Sequence, residues 1–477
     1  MITKILLFTK GNLNQDMKTI TIYHTNDIHS NFDHFASIVT YLKANKREED
    51  LLLDAGDFCD FKSTMVSGTQ GRAGKVLLKL AGYDALCIGN NEGFSGVKAL
   101  EVMADDELPL LSVNLTMLDG TPLKNVKPSI LLEKSDIRFL IIGVSPYFGL
   151  DGDGKYNVFF NMDNLHVHNP IPLIKAEMKN NQGLYDFVIL LSHQGIHTDE
   201  YLAKEIEGID LIIGGHSHTV VDQPYYVHQT VLHIAGEYGN LIGKLELSID
   251  NGYIVNIKGE SIPNTFKQDQ ETLELMKEQI QISTQNLNQT LYTIDSLDHS
   301  MTEESELSNF ICDALKKEHD CDFALMHHGI VNFALSGDIS KMKLLEASPS
   351  PLNPTLIKVK GEHLLEALKL SLNSEYVQAN GRAPGFRGHC IGALSFSSNV
   401  QIQLDPLHVF IDGMPLDSEK LYDVMTDDYL QRGSGYPSLA YPDDHSIYFS
   451  GYIRDLLERN LEDKNLIISA KNLRRIK

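Results

Sequence analysis

Seven side chains that could bind a divalent metal ion lie in five short segments of the first half of the chain. The segments are Asn26-Asp27-Ile28-His29, Gly56-Asp57, Gly89-Asn90-Asn91-Glu92, Ser192-His193 and Gly214-Gly215-His216-Ser217-His218. The seven candidate ligands are Asp27, His29, Asp57, Asn90, His193, His216 and His218. Mixed carboxylate, imidazole and amide ligands suit Mn²⁺, Zn²⁺, Fe or a similar first-row metal, whereas an all-oxygen Ca²⁺ or Mg²⁺ cage would leave the histidines unexplained.

The number and pairing of these ligands predict two metal ions. Strand alternation would direct Asp27 and His29 to one side, and His216 and His218 likewise. We expect Asp57 to bridge, because a carboxylate can span metals about 3.5–4 Å apart, the spacing that holds the attacking and leaving oxygens in phosphoryl transfer. A water held between the ions would lose its proton near neutral pH and attack phosphorus in line. The predicted chemistry is hydrolysis of a phosphate ester without a phosphoenzyme.

Each of the five segments follows an apolar run that is typical of a buried strand. These runs are Thr19–His24, Leu51–Leu53, Ala85–Ile88, Phe187–Leu191 and Leu211–Ile213, and Phe139–Val144 is a further candidate strand. Helical spacing of apolar residues occurs between strands, at His34–Ala44 and Lys75–Ala81. The alternation predicts a layered α/β domain in which the carboxyl ends of the strands bring the seven side chains to one crevice.

A chain of 477 residues is expected to fold as more than one domain. Changes in composition predict four segments: an N-terminal extension at 1–16, a catalytic domain at 17–262, a polar linker helix at 263–300, and a second domain of mixed α and β structure at 301–477.

Composition indicates which binding partners and which cellular location to expect. A net charge of −23 without basic blocks argues against binding a nucleic acid polymer. No apolar run reaches the roughly 18 residues of a membrane span, and the apolar stretch near the N-terminus is too short for a signal peptide. The five cysteines are odd in number and widely spaced, which indicates reduced thiols and not a disulfide framework. We therefore expect a cytoplasmic protein without a membrane partner.

The five segments resemble the signature of the calcineurin-like metallophosphoesterases. From about Met17 the chain resembles the bacterial 5'-nucleotidase/UDP-sugar hydrolase family. The resemblance implies a four-layer α/β/β/α catalytic domain, followed by an α+β 5'-nucleotidase-type domain that binds the nucleoside and moves relative to the first. It also implies that one metal is held by Asp27, His29, Asp57 and His218 and the other by Asp57, Asn90, His193 and His216.

Two positions depart from the family pattern. The residue after the ligand Asn90 is usually a histidine that stabilises the developing charge or assists the leaving group, but here it is Asn91, which can carry neither a proton nor a positive charge. The segment that commonly reads Asn-x-Gly-Gly-Ile-Arg is here 326–331, which lacks the arginine and contains His327-His328, interpreted as a hydrogen-bonded loop pair. Substrate-binding roles are assigned by position to Phe386, Arg387, Asp428, Tyr429 and Tyr436.

The predicted function is that of a 5'-nucleotidase-like phosphomonoesterase in nucleotide catabolism, with Asp57, Asn90 and Asn91 as catalytic residues. Two alternatives stay open. One is hydrolysis of a phosphodiester or a nucleotide-sugar pyrophosphate on the same scaffold. The other is a nucleotide-sensing binding protein with little turnover, against which the complete ligand set argues. The sequence leaves the metal, the nucleotide and the oligomeric state open.

Overall fold

The chain divides into two compact units, Met1–Ser283 and Thr284–Lys477. The structure, a computed structural model, describes residues 18–105, 107–147, 154–250, 253–383, 385–472 and 474–477. The predicted N-terminal extension, residues 1–16, lies outside the described residues. Among the helices of the described ranges, none is both long and apolar enough to cross a membrane.

The first unit alternates strands with helices. Its strands are β1 (Lys18–Thr25), β2 (Leu51–Asp54), β3 (Ala85–Cys87), β4 (Leu110–Leu111), β5 (Leu115–Met117), β6 (Val126–Lys127), β7 (Ser129–Lys134), β8 (Ile137–Val144), β9 (Leu165–Val167), β10 (Phe187–Ser192), β11 (Leu211–Gly214), β12 (Tyr225–Val227), β13 (Thr230–His233), β14 (Leu241–Asp250) and β15 (Tyr253–Pro263). Its helices are α1 (Phe32–Asn45), α2 (Thr64–Gly68), α3 (Arg72–Ala81), α4 (Asn90–Phe94), α5 (Gly96–Met103), α6 (Asn157–Phe160), α7 (Pro170–Asn180), α8 (Ile196–Glu205) and α9 (Gln270–Leu287), with a 3-10 turn at Asn161–Asp163.

Two sheets form the centre of this unit. One has the order β15-β14-β1-β2-β3-β4-β6 and the other the order β12-β13-β11-β10-β8-β7, while β5 and β9 pair separately. Alternate residues of β1 and β8, such as Ile22 and Ile141, meet between the sheets. The opposite faces pack on helices, through α1, α3 and α5 on one side and α7 and α8 on the other. The predicted four-layer α/β/β/α arrangement is confirmed.

Burial on both faces explains why these strands read as continuous apolar runs and not as alternating ones. In β2, Leu51 and Leu53 face the second sheet, whereas Leu52 between them packs against helices. The strands β1, β2 and β3 are parallel to one another, with Ile22 opposite Leu51 and Leu53 opposite Ala85. Their carboxyl ends therefore reach the same edge of the sheet.

The second unit is built around a five-stranded sheet of order β20-β17-β24-β19-β25. Its strands are β16 (Thr290–Leu297), β17 (Phe323–His327), β18 (Leu335–Ser340), β19 (Pro354–Lys360), β20 (Leu394–Phe396), β21 (Val400–Leu404), β22 (Leu407–Ile411), β23 (Met414–Pro415), β24 (Leu421–Asp427) and β25 (Ile447–Tyr448). Its helices are α10 (Glu306–Glu318), α11 (Lys341–Ala347), α12 (Gly361–Ser371), α13 (Ser374–Val377), α14 (Asp428–Gln431), α15 (Ile453–Asn460) and α16 (Lys464–Asn472), with 3-10 turns at His328–Ile330, Pro437–Leu439 and Asp443–His445.

The segment interpreted as a linker helix is helical only in part. Helix α9 ends at Leu287, and β16 then pairs antiparallel with β18. The β-branched and aromatic residues of Thr290–Leu297 favour a strand, and Ile294 and Leu297 are buried in the core of the second unit. The helical interpretation of residues 290–297 is therefore wrong, because tertiary packing uses this stretch as an edge strand.

Candidate metal centre

The five loops bring the seven candidate ligands of the first unit into one connected cluster. The Nε2 atoms of His29, His193 and His218 lie 3.7, 3.8 and 3.5 Å from Oδ1 of Asp27. Oδ2 of Asp57 lies 3.3 Å from Nε2 of His193 and 3.9 Å from Nε2 of His29. The described residues thus include two groups with metal-binding geometry, Asp27/His29/His218 and Asp27/Asp57/His193.

The remaining two candidates extend the cluster on the His193 side. The ring of His216 lies 5.2 Å from that of His193, centroid to centroid. Nδ1 of His216 is 2.8 Å from Oδ1 of Asn90, the first residue of α4. The seven candidate side chains are therefore contiguous, and their division into two ligand sets stays a prediction.

Loop conformation, and not strand alternation, orients the paired ligands. β1 ends at Thr25 and β11 at Gly214, so the pairs lie beyond the strands. Five ligands have a left-handed backbone, with positive φ angles of 51° at Asp27, 48° at His29, 55° at Asp57, 70° at His216 and 53° at His218. The prediction that strand alternation directs each pair, Asp27 with His29 and His216 with His218, to one side is therefore wrong. Non-glycine residues rarely adopt this conformation, and such strain concentrates at functional sites.

Asp27 occupies a more central position than the sequence suggested. It belongs to both metal-binding groups, whereas Asp57 belongs to one. Its carboxylate also accepts hydrogen bonds from the backbone N–H of His216, at 2.9 Å to Oδ2, and from Nδ2 of Asn26, at 2.7 Å. The bridging role of Asp57 stays a prediction, and Asp27 is the carboxylate that this geometry places between the two groups.

Two of the four histidines, His193 and His218, present Nε2 to the cluster in the tautomer that a metal requires. Nδ1 of His193 donates to the carbonyl of Ala55 at 2.7 Å, and Nδ1 of His218 lies 2.6 Å from Oε2 of Glu237. In His216 it is Nδ1 that faces a candidate ligand, Oδ1 of Asn90, at 2.8 Å. In His193 and His218 a hydrogen on Nδ1 leaves a lone pair on Nε2, so Ala55 and Glu237 orient these two rings as metal ligands.

The buried Nε2 of His193 is the clearest sign that a cation fits here. The side chain is fully buried, and this atom has no hydrogen-bond partner although carboxylates surround it. Burial lowers the pKa of His193, but the negative charges of Asp57 and Asp27 act in the opposite direction. The net result is a pKa raised to about 10. The carboxylates thus attract positive charge to Nε2, and a divalent metal would displace that proton. The donor set and this orphaned atom both fit a first-row metal.

Asn91, which stands where the family has a histidine, contacts two candidate ligands. Its backbone N–H donates to Oδ1 of Asp57 at 2.8 Å, and its Nδ2 lies 2.8 Å from Oδ2 of Asp57 and 3.0 Å from Nδ1 of His29. The amide nitrogen donates to Asp57, and its contact with His29 is a hydrogen bond only in the tautomer whose Nδ1 carries no hydrogen. Asn91 therefore helps to hold Asp57 in place.

Glu92 is a residue whose role the sequence analysis missed. Its fully buried carboxylate accepts hydrogen bonds from the backbone N–H groups of Asp57, Cys59 and Gly89 at 2.9–3.0 Å. Burial and then the charge of Asp57 raise the pKa of Glu92 to about 7. This side chain ties the loop after β2 to the loop after β3. Its place in the Gly89–Glu92 segment was the only sequence signal.

The second unit buries most of the side chains to which substrate binding was assigned. Tyr429 lies against Phe386 and His327, with ring centroids 4.7 and 4.6 Å apart. Tyr436 is fully buried, and its hydroxyl donates to the carbonyl of Gly392 at 2.7 Å. These contacts cover the faces of the rings, so stacking of a base on Tyr436 requires the surrounding loops to rearrange and stays a prediction.

The polar members of the assigned set differ in exposure. Asp428 is buried and pairs with Arg432 at 2.7 Å, whereas Arg387 is exposed and its backbone N–H donates to Ser350.

The histidine pair at positions 327 and 328 is buried in the second unit. His327 pairs with Asp427 at 3.1 Å, and His328 has Oγ of Ser395 2.8 Å from its Nε2. Hydrogen bonds thus satisfy both rings, as their interpretation as a structural pair requires.

Two family models match this chain, one in each unit. The family described as calcineurin-like phosphoesterase matches residues 20–220, and the 5'-nucleotidase C-terminal domain matches residues 280–441. The chain belongs to the calcineurin-like phosphoesterases with a 5'-nucleotidase C-terminal domain. It is therefore a phosphoester hydrolase, and residues 20–220 form its phosphoesterase domain.

Similar proteins cover nearly the whole chain. The uncharacterized metallophosphoesterase YunD of Bacillus subtilis is 26% identical over 92% of this chain and 98% of its own length. A 5'-nucleotidase of Diplobatis ommata is 25% identical over 87% of this chain and 82% of its own. The NAD nucleotidase of Haemophilus influenzae shares the fold, with a TM-score of 0.64 at 15% identity over 97% of this chain and 99% of that one.

Glu237 lies just beyond the matched phosphoesterase region and completes a carboxylate–histidine pair with His218. Both side chains are about one-third exposed, so the pair borders solvent. Such carboxylates fix the ring orientation and raise the basicity of a metal-binding imidazole. Glu237 is thus positioned to support His218 in the candidate metal centre, a contact that sequence reasoning did not identify.

We expect Glu237→Gln to weaken metal binding by about tenfold, because an amide supports the imidazole less strongly than a carboxylate. Competition with a chromophoric chelator measures the change in Kd. Glu246→Gln, which changes a half-exposed glutamate of β14 paired with Lys244, is the matched control and should bind metal as the wild type does. Equal metal affinity in both variants would remove Glu237 from the centre.

Proposed function

We propose that this phosphoester hydrolase is a dinuclear metal-dependent 5'-nucleotidase, which releases phosphate from nucleoside monophosphates in nucleotide catabolism. The cluster of seven ligand side chains from five loops is the observation that supports the metal-dependent chemistry. The 5'-nucleotidase C-terminal domain, together with relatives named 5'-nucleotidase, supports the choice of substrate.

The proposed ligand sets share Asp57. Asp27, His29 and His218 would hold one cation with it, and the second would be held by Asn90, His193 and His216. When bound, such cations neutralise phosphoryl oxygens and lower the pKa of water from about 15.7 to about 7.

The chain's own residues would contribute mainly by positioning. Asn91 and Glu92 fix the two loops that carry Asp57 and Asn90, through hydrogen bonds of 2.8–3.0 Å. Hydrogen bonds that fix these loops would keep the charges aligned before substrate arrives, and electrostatic preorganisation of this kind is often the largest part of catalysis. No nucleophilic side chain is needed, so we expect no covalent phosphoenzyme.

A substrate panel tests the proposed function. Protein loaded with Mn²⁺ should release inorganic phosphate from nucleoside 5'-monophosphates, with much lower rates on cyclic nucleotides and nucleotide sugars. We expect this preference for monophosphates because the C-terminal domain matches that of nucleotidases. Rates should be compared as kcat/KM by a colorimetric phosphate assay, with a phosphatase added afterwards to reveal nucleotide products that carry phosphate.

Other outcomes of the panel point elsewhere. Turnover of only the diesters or pyrophosphates would replace the monoesterase with a phosphodiesterase or pyrophosphatase. Tight nucleotide binding by calorimetry without turnover of any substrate would indicate a nucleotide sensor. Either result would overturn the proposed function while leaving the metal centre intact.

A further inference from the structure

Tyr238 lies on the solvent-facing side of the ligand cluster, although no sequence motif marks it. Its ring centroid is 5.5 Å from that of His29 and 6.3 Å from that of His218, two members of one metal-binding group. The side chain of His218 is 36% exposed, so this group borders solvent. Tyr238 is itself 37% exposed. A phenol ring therefore lies beside the candidate ligands where solvent reaches them.

The backbone of Tyr238 is held in a conformation that an aromatic residue rarely adopts. Its φ angle is 57°, in the left-handed region, where any side chain larger than that of glycine is strained. Its N–H donates to the carbonyl of Asp27 at 2.7 Å, and its carbonyl accepts from Nδ2 of Asn31 at 2.9 Å and from Nδ1 of His34 at 3.0 Å. Three hydrogen bonds thus tie this residue to the segment that carries the ligands Asp27 and His29.

Packing of the protein core does not account for this strain. The apolar core of the first unit consists of three clusters of described residues, and Tyr238 belongs to none of them. Glycine would adopt the φ of Tyr238 without strain, as the neighbouring Gly236 and Gly239 do at 75° and 66°. The strained backbone therefore places a ring where the core does not need one, and such strain concentrates at functional sites.

The ring offers an apolar surface next to charged and polar ligands. Cations at the ligands would hold a phosphate group, whereas the face of a phenol ring packs against carbon-bound hydrogens or against another ring. In a phosphate ester held at the cluster, the organic group next to the phosphate has such a surface. For a nucleoside monophosphate, that group is the ribose.

We propose that Tyr238 is a specificity-determining residue, whose ring contacts the sugar of a nucleoside monophosphate while the phosphate lies at the ligand cluster. The inference rests on the proposed nucleotidase function. The ring, and not the hydroxyl, makes this contact. It gives the first unit a preference for nucleotides over small phosphate esters that does not depend on the aromatic residues buried in the second unit.

Tyr238→Gly tests the proposal because it removes the ring and keeps the backbone atoms of all three hydrogen bonds. With Mn²⁺-loaded protein, we expect kcat/KM for a nucleoside monophosphate to fall about tenfold, mainly through KM, as for the loss of one aromatic contact. For methyl phosphate, which has no sugar, kcat/KM should fall less than about twofold, because that ester makes no contact with the ring. The melting temperature should not decrease, because glycine relieves the strain at a φ of 57°. Tyr238→Phe keeps the ring and should retain the preference for the nucleotide.

His228→Gly is the matched control. His228 is another exposed residue with a ring and a left-handed backbone, at a φ of 56°. It lies just before β13, which runs parallel to β11, so it is at the sheet edge opposite the ligands. Its variant should leave kcat/KM for both esters unchanged. Equal losses for the two esters in Tyr238→Gly, or a loss no larger than in His228→Gly, would overturn the proposal.

Binding measurements keep this test independent of the proposed function. Calorimetry compares inorganic phosphate with a nucleoside phosphonate, in which a carbon atom replaces the ester oxygen and prevents hydrolysis. Tyr238→Gly should weaken phosphonate binding about tenfold and leave phosphate binding within about twofold of the wild type. Failure of the proposed function would appear as wild-type protein that does not turn over monophosphates. Failure of the inference would appear as phosphonate affinity that does not depend on the ring.

Discussion

Replacing Asp57 with alanine is expected to lower kcat/KM for a nucleoside monophosphate by at least about a thousandfold, because a bridging carboxylate supports both ions. Its oxygens lie close to His193 and His29 and accept from Asn91. Burial raises the pKa of Asp57, but the charge of His193, followed by that of His29, holds it below its usual range, so the carboxylate is ionised. Phosphate release and metal content measure the effect together, and both metals should bind more weakly.

Asp57→Asn distinguishes loss of charge from loss of fold. Asp57 has a φ of 55°, a conformation that asparagine tolerates much better than alanine. Asp136→Asn makes the same change at an exposed residue with a φ of 65°. This control should keep wild-type turnover, since the ion pair of Asp136 with Lys18 lies at the surface. Wild-type turnover in Asp57→Asn would contradict the assigned role.

His193→Ala has the second-largest expected effect, a loss of at least about a hundredfold in kcat/KM together with loss of metal. The reason is the buried Nε2, which faces Asp27 and Asp57 and has no hydrogen-bond partner. Without the imidazole, two buried carboxylates face one another with less compensating charge. Metal bound per protein after dialysis, measured by mass spectrometry, gives the readout.

His197→Ala supplies the control for this variant. His197 lies four residues further along the chain in α8, and its side chain is exposed. It should retain both metal and turnover. Comparable losses in the two histidine variants would mean that the first measures damage to this region, and the ligand role of His193 would be withdrawn.

The sequence predicted six strands of the first unit, because burial on both faces makes each of them a continuous apolar run, but it did not predict the long strands β14 and β15. β1, β10 and β11 begin or end within two residues of the predicted bounds. The positions of ligands after strand ends followed from the same pattern. Their orientation did not, because it depends on left-handed backbone at residues such as Asp27 and His216, which no periodicity encodes.

Supporting residues were harder to predict because their partners are distant in sequence. Glu92 reaches back to backbone atoms of Asp57 and Cys59, and Glu237 meets His218 from a loop outside the five segments. Single glutamates carry no spacing signal, so these contacts become visible only when the fold brings the loops together.

Titration of metal-stripped protein with Mn²⁺ tests the dinuclear phosphomonoesterase most directly. Stripping should abolish phosphate release from a nucleoside monophosphate, and activity should return with added metal until two equivalents are bound. Bound metal and phosphate release are measured on the same samples. Unchanged release from protein shown to be free of metal would contradict the account, as would full activity with a single bound equivalent.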